Sequence, residues 1–471
     1  MCRQTKIVCT IGPASESYEV MKELALAGMN IARLNFSHGS HEEHLERINT
    51  IRKVAKELDK PIGIMLDTKG PEIRLGDFAN GQENYTKGEK VTIVREKILG
   101  THERFHIQCP ELFDDIKVGN YILVNDGKQR LSVIAKRDGE IDCVVEVNGP
   151  LSSRKGCNVP GVKLSMAFLS EKDTADIRFG CENNVDFIAA SFVRRADDVR
   201  EIRKILNEMA KSKINIIAKI ENQEGFDNIE EILNEADGVM VARGDLGVEI
   251  QTEYVPIYQK KLIQAANKFG KSVITATHML DSMTYNPRCT RAEASDVSNA
   301  VLDGSDCVML SAETAAGEYP VETVKTMSAI ARASEKIIPY RERLEQSKNS
   351  SLKTVQDAIG ISISDATLTL DIAAIIVFTQ GGTTARRVSK FRPSVPIYAV
   401  TFSKSTLNKL TSYWGVHPIY SEIQNEMIND DELASNIAKK QGLKPGQLII
   451  ISAGYPTGEG SANMMKIVEI K

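Results

Sequence analysis

Eight short apolar runs, each separated from the next by a longer segment, leave this chain very few folds to choose from. They are Lys6 to Thr10, Asn30 to Phe36, Ile62 to Asp67, Phe187 to Phe192, Ile214 to Ile220, Val239 to Arg243, Ser272 to Thr277 and Cys307 to Ser311. Most are followed by helix-like periodicity, as in His41 to Leu58, Ala196 to Met209 and Pro256 to Phe269. Strands that alternate with helices pair in parallel. Eight such units predict an α/β fold built on a closed (β/α)8 TIM barrel, formed by residues 1–69 and 168–340.

One interval breaks the rhythm. Between Asp67 and Phe187 the chain turns to short alternating runs, Lys90 to Val94, Tyr121 to Val124, Leu131 to Ala135 and Asp142 to Val147, divided by Gly and Asn. These predict an inserted all-β domain, a small β-barrel at 70–167, hung on the loop after the third strand. That loop belongs to the face where barrel enzymes keep their catalytic residues, so the insert is placed to act as a lid. The polar stretch Arg341 to Ser351 reads as a linker. Beyond it, Ala373 to Phe378, Ile397 to Val400 and Leu448 to Ile451 predict strands of a separate α/β domain at 341–471.

At 471 residues, 42% hydrophobic and 26% charged, the chain has enough material for several packed cores. Its formal net charge of -4 excludes a nucleic-acid-coating role, so any anionic substrate must meet local positive charge. No apolar run reaches the length of a membrane span and the first residues lack a signal-peptide core, which predicts a cytoplasmic protein with no membrane partner. The eight cysteines are scattered without a C-x-x-C pair and read as reduced, structural thiols.

The chemistry concentrates at strand ends. In Ile216 to Asn222, alternation sends Lys219 and Glu221 to the same side, and Asp245 follows the next strand in Arg243-Gly244-Asp245-Leu246-Gly247. An amine and two carboxylates at one place read as a metal ion beside a fixed cation, with Gly244 leaving its neighbourhood open for backbone amides to meet an anion. Pairing of Lys219 with Glu221 alone is the less favoured reading. Arg33, Asn35 and Ser37 fall at period two on a strand with packed surfaces on both sides, where a buried Arg needs an anionic partner. Asp67 and Thr68 end the third strand and, with Asn35 and Ser37, supply a shell of hard oxygens suited to an alkali or alkaline-earth cation. Thr275 and Thr277 are expected to end the seventh strand on one face, offering hydroxyls. His38, His41 and His44 follow a helix cap at Ser40 and read as a solvated face rather than a ligand set.

Taken together, Arg33-Leu34-Asn35-Phe36-Ser37-His38-Gly39, Asp67-Thr68-Lys69-Gly70-Pro71-Glu72, Lys219-Ile220-Glu221-Asn222, Ala242-Arg243-Gly244-Asp245-Leu246-Gly247, Thr275-Ala276-Thr277 and Met309-Leu310-Ser311-Ala312-Glu313-Thr314 closely resemble the pyruvate kinase family. The resemblance spans nearly the whole chain. It implies phosphoryl transfer from phosphoenolpyruvate to ADP, giving ATP and an enolate that is protonated to pyruvate. Arg33 and Lys219 would hold the phosphoryl group, with Mg2+ (or Mn2+) on Glu221 and Asp245. The amides of Gly244 and Asp245 and the Thr277 hydroxyl would bind the substrate carboxylate, and Thr277, or a water chain near Ser311 and Glu313, would deliver the proton. Asn35, Ser37, Asp67 and Thr68 would hold K+, whose requirement goes with Glu at position 72 in relatives. Asn35, Phe36, Ser37, His38, Arg74 and Lys155 would touch the nucleotide.

The resemblance extends to Thr379-Gln380-Gly381-Gly382-Thr383-Thr384, which matches a sugar-phosphate effector loop and opens a helix as a phosphate site does, a simple helix cap being the other reading. A second loop of that site matches Thr457 to Asn463, whereas Gln441 stands where several fructose-bisphosphate-responsive members carry Arg, leaving the effector open between a sugar phosphate and AMP. A homotetramer is the family expectation. Two other readings stay in view: a Mg2+-dependent, enolate-forming lyase or aldolase whose Lys forms a Schiff base, and a non-catalytic metabolite sensor.

Overall fold

A computed structural model describes residues 2–422, 430–454 and 463–471. The eight expected strands are Lys6–Thr10 (β1), Ile31–Asn35 (β2), Gly63–Asp67 (β3), Phe187–Ala190 (β4), Asn215–Ile220 (β5), Gly238–Ala242 (β6), Ser272–Ala276 (β7) and Cys307–Leu310 (β8). They pair in parallel in sequence order, and β1 returns to β8 in register from Lys6 with Cys307 to Cys9 with Leu310, which closes the barrel. Alternation divides each strand between two cores. Outward side chains such as Leu34, Leu66, Ile216 and Val273 pack under the helices, and inward ones, Val8, Ile31, Met65, Ala189, Ile217, Met240 and Ile274 among them, fill the barrel. Two residues further along the same strands stand Thr10, Arg33, Asp67, Ser191 and Lys219. The pleat that seals the barrel therefore also lifts a polar ring to its C-terminal mouth.

The segment that leaves after β3 forms a seven-stranded sheet with its own apolar core, including Leu75, Ile93, Phe105, Ile122 and Leu131. Its pairings are antiparallel except for Lys90–Val94 with Arg104–His106, and the bridge Leu75–Ile107 links its outer strands. Gln82–Tyr85 and Gly149–Ser152 add a two-stranded ribbon, and Leu112–Asp115 makes one helical turn in this otherwise β unit. The domain reaches the barrel mouth through Asn158, whose amide donates to Glu249 Oε1 at 2.9 Å.

The stretch expected to be a linker is instead the helix Tyr340–Asn349. Its polarity misleads because one apolar residue, Leu344, is buried, while Arg341 and Arg343 donate to the carbonyls of Leu368 and Leu302. The last domain is a five-stranded sheet in the order Val416–Tyr420, Ile397–Thr401, Ile372–Phe378, Leu448–Ala453, Met464–Glu469, the final strand antiparallel. It covers the N-terminal end of the barrel. The Trp414 amide donates to Asp306, Arg392 pairs with the same carboxylate at 3.1 Å, and Ser272 Oγ donates to the Ser412 carbonyl at 2.8 Å. Among the described residues no helix is long and apolar enough to cross a membrane, and the eight cysteines are free, six of them buried.

Candidate active site

Lys219 is the centre of the polar ring. Its Nζ lies 2.9 Å from Asp67 Oδ1, 3.1 Å from Glu221 Oε1 and 2.6 Å from Ser191 Oγ, all of them buried. Burial works against a charged amine, but Asp67 and Glu221 outweigh it and hold Lys219 above its ordinary range. The pairing with Glu221, ranked low from sequence, is thus present, and Asp67, two strands away around the ring, is an equal partner. Asp67 also takes Arg33 Nε at 2.5 Å, and Arg33 reaches Thr10 Oγ1 at 2.9 Å. Although burial opposes its ionisation, Arg33 and Lys219 together keep the Asp67 carboxyl below the usual carboxylate range.

Glu221 has the opposite problem. Burial pushes it up to about 7, helped by the charge of Asp245 and resisted by Lys219 and the Phe192 amide, which donates to it at 2.5 Å. Asp245 stands exposed at the rim in the short helix Arg243–Glu249, with its carboxyl close enough to bond Glu221. The enclosing protein raises it as well. Two facing acids that both resist ionisation form a donor set that a hard divalent cation satisfies. Among the described residues no three His, Cys, Asp or Glu side chains gather into a metal-holding group, so a cation here rests on these two carboxylates and on oxygens from outside the protein.

Thr277 lies past the end of β7 with φ of 73°, rare for a β-branched residue and the kind of backbone strain that collects at functional sites. A Cβ at Gly244 would come within 2.9 Å of the Thr277 methyl, so glycine is required for the two to meet. The expectation that Thr275 shares this face is corrected: its side chain faces away and its hydroxyl is bonded to Ser305 Oγ at 2.7 Å. Arg243 clamps the site from behind, donating to Asp296 at 2.6 and 2.7 Å and to the Thr277 carbonyl at 2.7 Å. The Ser311 amide donates to Glu313 at 2.6 Å, and the Leu280 amide does so at 3.2 Å, so this buried carboxylate is occupied with backbone.

Of the oxygen shell, Asn35 Oδ1 accepts from the Ser37 amide at 3.1 Å, Thr68 Oγ1 accepts from the Ser191 amide at 3.1 Å, and Ser37 is exposed. The loop Phe36 to His38 is fastened from below: the Phe36 ring is buried and stacks on His44 at 3.9 Å, and His44 Nε2 lies 2.9 Å from the His38 carbonyl. The histidine face is therefore not solvated as expected, since His44 is buried and His41 pairs with the buried Asp176 at 2.7 Å. Arg74 and Lys155 lie on the inserted domain, where Arg74 pairs with Gly156; Arg74 also meets Glu72 at 2.7 Å, and Lys155 is exposed.

In the C-terminal domain the loop Thr379 to Thr384 runs into the helix Thr383–Lys390. Thr379 Oγ1 accepts from the Gly382 amide at 3.0 Å, Gly382 has φ of 88°, and the Gln380 carbonyl is held by Thr406. Among the described residues, a Cβ at Gly381 would meet nothing within 4 Å. Of the companion loop Thr457 to Asn463, residues 457–462 lie outside the described residues. Sequence reasoning missed Ser191, Arg243 and Asp296. Ser191 carries a signal, a hydroxyl two residues beyond an inward Ala189, whereas nothing ties Asp296 to this site except the fold.

An eight-fold barrel interrupted by a lid-like β domain, with a lysine between carboxylates at its mouth, defines a TIM-barrel enzyme. Residues 2–324 match the model of the pyruvate kinase barrel domain and residues 357–468 that of the pyruvate kinase alpha/beta domain. The chain is 53% identical over 472 residues to pyruvate kinases of Staphylococcus epidermidis (strain ATCC 35984) and Staphylococcus aureus (strain MRSA252), covering 99% of this chain and 80% of each relative. The chain belongs to the pyruvate kinase family and is a phosphotransferase.

Proposed function

We propose that the chain transfers the phosphoryl group of phosphoenolpyruvate to ADP, yielding pyruvate and ATP, in the last step of glycolysis. The observation that carries this reading is the buried pairing of Lys219 and Arg33 across Asp67. Two cations held by one carboxylate form a ready seat for a multiply charged phosphoryl group, which takes over their charge when Asp67 alone does not balance it. Lys219 then stands beside the oxygen on which enolate charge grows as the phosphorus–oxygen bond breaks.

Glu221 and Asp245 fit Mg2+ or Mn2+ as a pair of hard ligands, and the ion supplies electrostatic stabilisation of phosphoryl and enolate oxygens. The oxygens of Asn35, Ser37, Asp67 and Thr68 are of the type K+ prefers, and K+ would share Asp67 with its two side-chain cations. The amides of Gly244 and Asp245 with the Thr277 hydroxyl orient the substrate carboxylate, and the tight Gly244–Thr277 approach supports that assignment. Proton delivery falls to Thr277 or to a water chain by Ser311. ADP lies between Asn35 to His38 on the barrel and Arg74 and Lys155 on the lid. In this reading residues 70–167 are the lid, 1–69 with 168–340 the catalytic unit, and 341–471 a regulatory domain taking a sugar phosphate or AMP at Thr379 to Thr384. A cytoplasmic homotetramer completes it.

The aldolase alternative needs a neutral, nucleophilic Lys219, and the two carboxylates that keep it charged argue against it. A coupled assay of pyruvate formation tests the reaction. Turnover is expected with Mg2+ and K+, and near-equal rates in Na+ and K+ at saturating Mg2+ would remove the K+ assignment. Lys219→Ala is expected to abolish turnover while Mn2+ titration shows the divalent site retained; an active variant would refute the role given to Lys219.

A further inference from the structure

The lid is joined to the barrel by two connecting segments, and both are gripped by buried charged side chains outside the residues assigned above. Where the chain leaves, the Gly70 amide donates to Asp173 Oδ1 at 3.0 Å. Gly70 has φ of 74°, and a Cβ there would sit 2.7 Å from Ser191 Cβ, so the exit has one allowed course. Where the chain returns, the Arg194 guanidinium donates to the carbonyls of Leu164 at 3.0 Å and Met166 at 3.3 Å and lies 3.6 Å from Asp198. Asp173 and Arg194 are 0% and 8% exposed.

The neighbour of Asp173 points elsewhere. Lys172 Nζ donates to the Phe36 carbonyl at 2.8 Å and to Asp176 Oδ2 at 2.6 Å. Asp176 is itself buried and also holds His41. Lys172 and Asp173 occupy the first turn of the helix Glu171–Glu182, which a capping box fixes through Ser170. One rigid helical turn therefore grips the loop Asn35 to His38 through Lys172 and the lid's exit segment through Asp173.

We propose that Lys172, Asp173 and Arg194 are positioning residues that set the lid angle and the nucleotide loop as a single unit. The proposal rests on the nucleotide lying between that loop and the lid. A loop carbonyl released from Lys172 lets the barrel half of the nucleotide site drift against the lid half, so ADP suffers and phosphoenolpyruvate, bound deeper in the barrel, does not.

Steady-state kinetics of the full chain in both substrates tests it. Lys172→Ala is expected to raise the KM for ADP about tenfold and to leave that for phosphoenolpyruvate within about twofold, with Lys172→Arg restoring the ADP value. Asp173→Ala is expected to act in the same direction, and the double variant to cost less than the product of the singles. If Asp173→Ala does not fold, Arg194→Lys, which keeps the charge but loses the fork on two carbonyls, should raise the ADP KM several-fold. An unchanged ADP KM in active Lys172→Ala, or equal losses for both substrates, overturns the proposal. Absence of turnover in the unmutated chain would overturn the reaction reading first and this proposal with it.

Discussion

Ser191 bears no charge, yet it touches more of the centre than any ionised residue except Lys219 and Asp67. Its hydroxyl accepts from Lys219 and lies 2.6 Å from the Thr68 carbonyl, and its amide donates to Thr68 Oγ1. Ser191→Ala frees the amine to swing between Asp67 and Glu221, so kcat should fall about tenfold in the pyruvate assay, with thermal stability nearly kept. At Gly244 steric contact governs: Gly244→Ala pushes a methyl onto Thr277, and the KM for phosphoenolpyruvate should rise at least about tenfold while that for ADP moves less. Lys219, Glu221, Arg33 and Asp67 were legible because alternation on a strand is a period-two rule that needs no fold. Which of them pair was not legible, since Asp67 meets Lys219 from two strands away, a neighbourhood that only the parallel pairing creates, and a serine at a strand end looks like any other.

Among elements, the long helices follow from local rules. The helix His41–Glu57 begins at Ser40, which accepts from the Glu43 amide while Glu43 reaches back to the Ser40 amide. Ser40→Ala should lower stability by about 1 kcal/mol in urea unfolding, and because this helix carries His44 beneath the Phe36 loop, the ADP KM should rise with it. The same rules failed at Tyr340–Asn349. A polar helix with one buried leucine has no apolar stripe to read, and its place is set by carbonyls of distant segments that its arginines meet. The eight barrel strands were legible because they are apolar on both faces, whereas in the insert four runs were legible and the short strands Ile73–Arg74, Gln82–Tyr85, Arg104–His106, Gly149–Ser152 and Gly156–Asn158 carry too little alternation to read.

For the whole molecule, the junction between the barrel and the C-terminal domain hides an acid. Asp186 accepts from the Ile64 amide at 2.8 Å, with Asn408 beside it, and burial pushes it up to about 7 despite Arg52 and Lys409 nearby. The folded chain thus holds a proton that the unfolded chain, with an ordinary carboxyl, releases near pH 4. Stability from this group is greatest below that pH and declines as pH rises towards 7. Asp186→Asn keeps the accepting oxygen and should gain stability, more at pH 8 than at pH 5, by an amount of the order of 3 kcal/mol at the higher pH; equal shifts in urea midpoint at both would contradict the assignment. The junction has another side. The Gln4 carbonyl, two residues before β1, accepts from the Gly415 amide at 2.9 Å, and β1 itself waits for β8. On a ribosome the first strand is made about 400 residues before the segment that covers it, an interval of roughly 20 to 80 s at ordinary elongation rates. The barrel cannot close until β8 is made, and its underside then waits for the segment around Gly415, so the emerging chain exposes surface that the finished one buries.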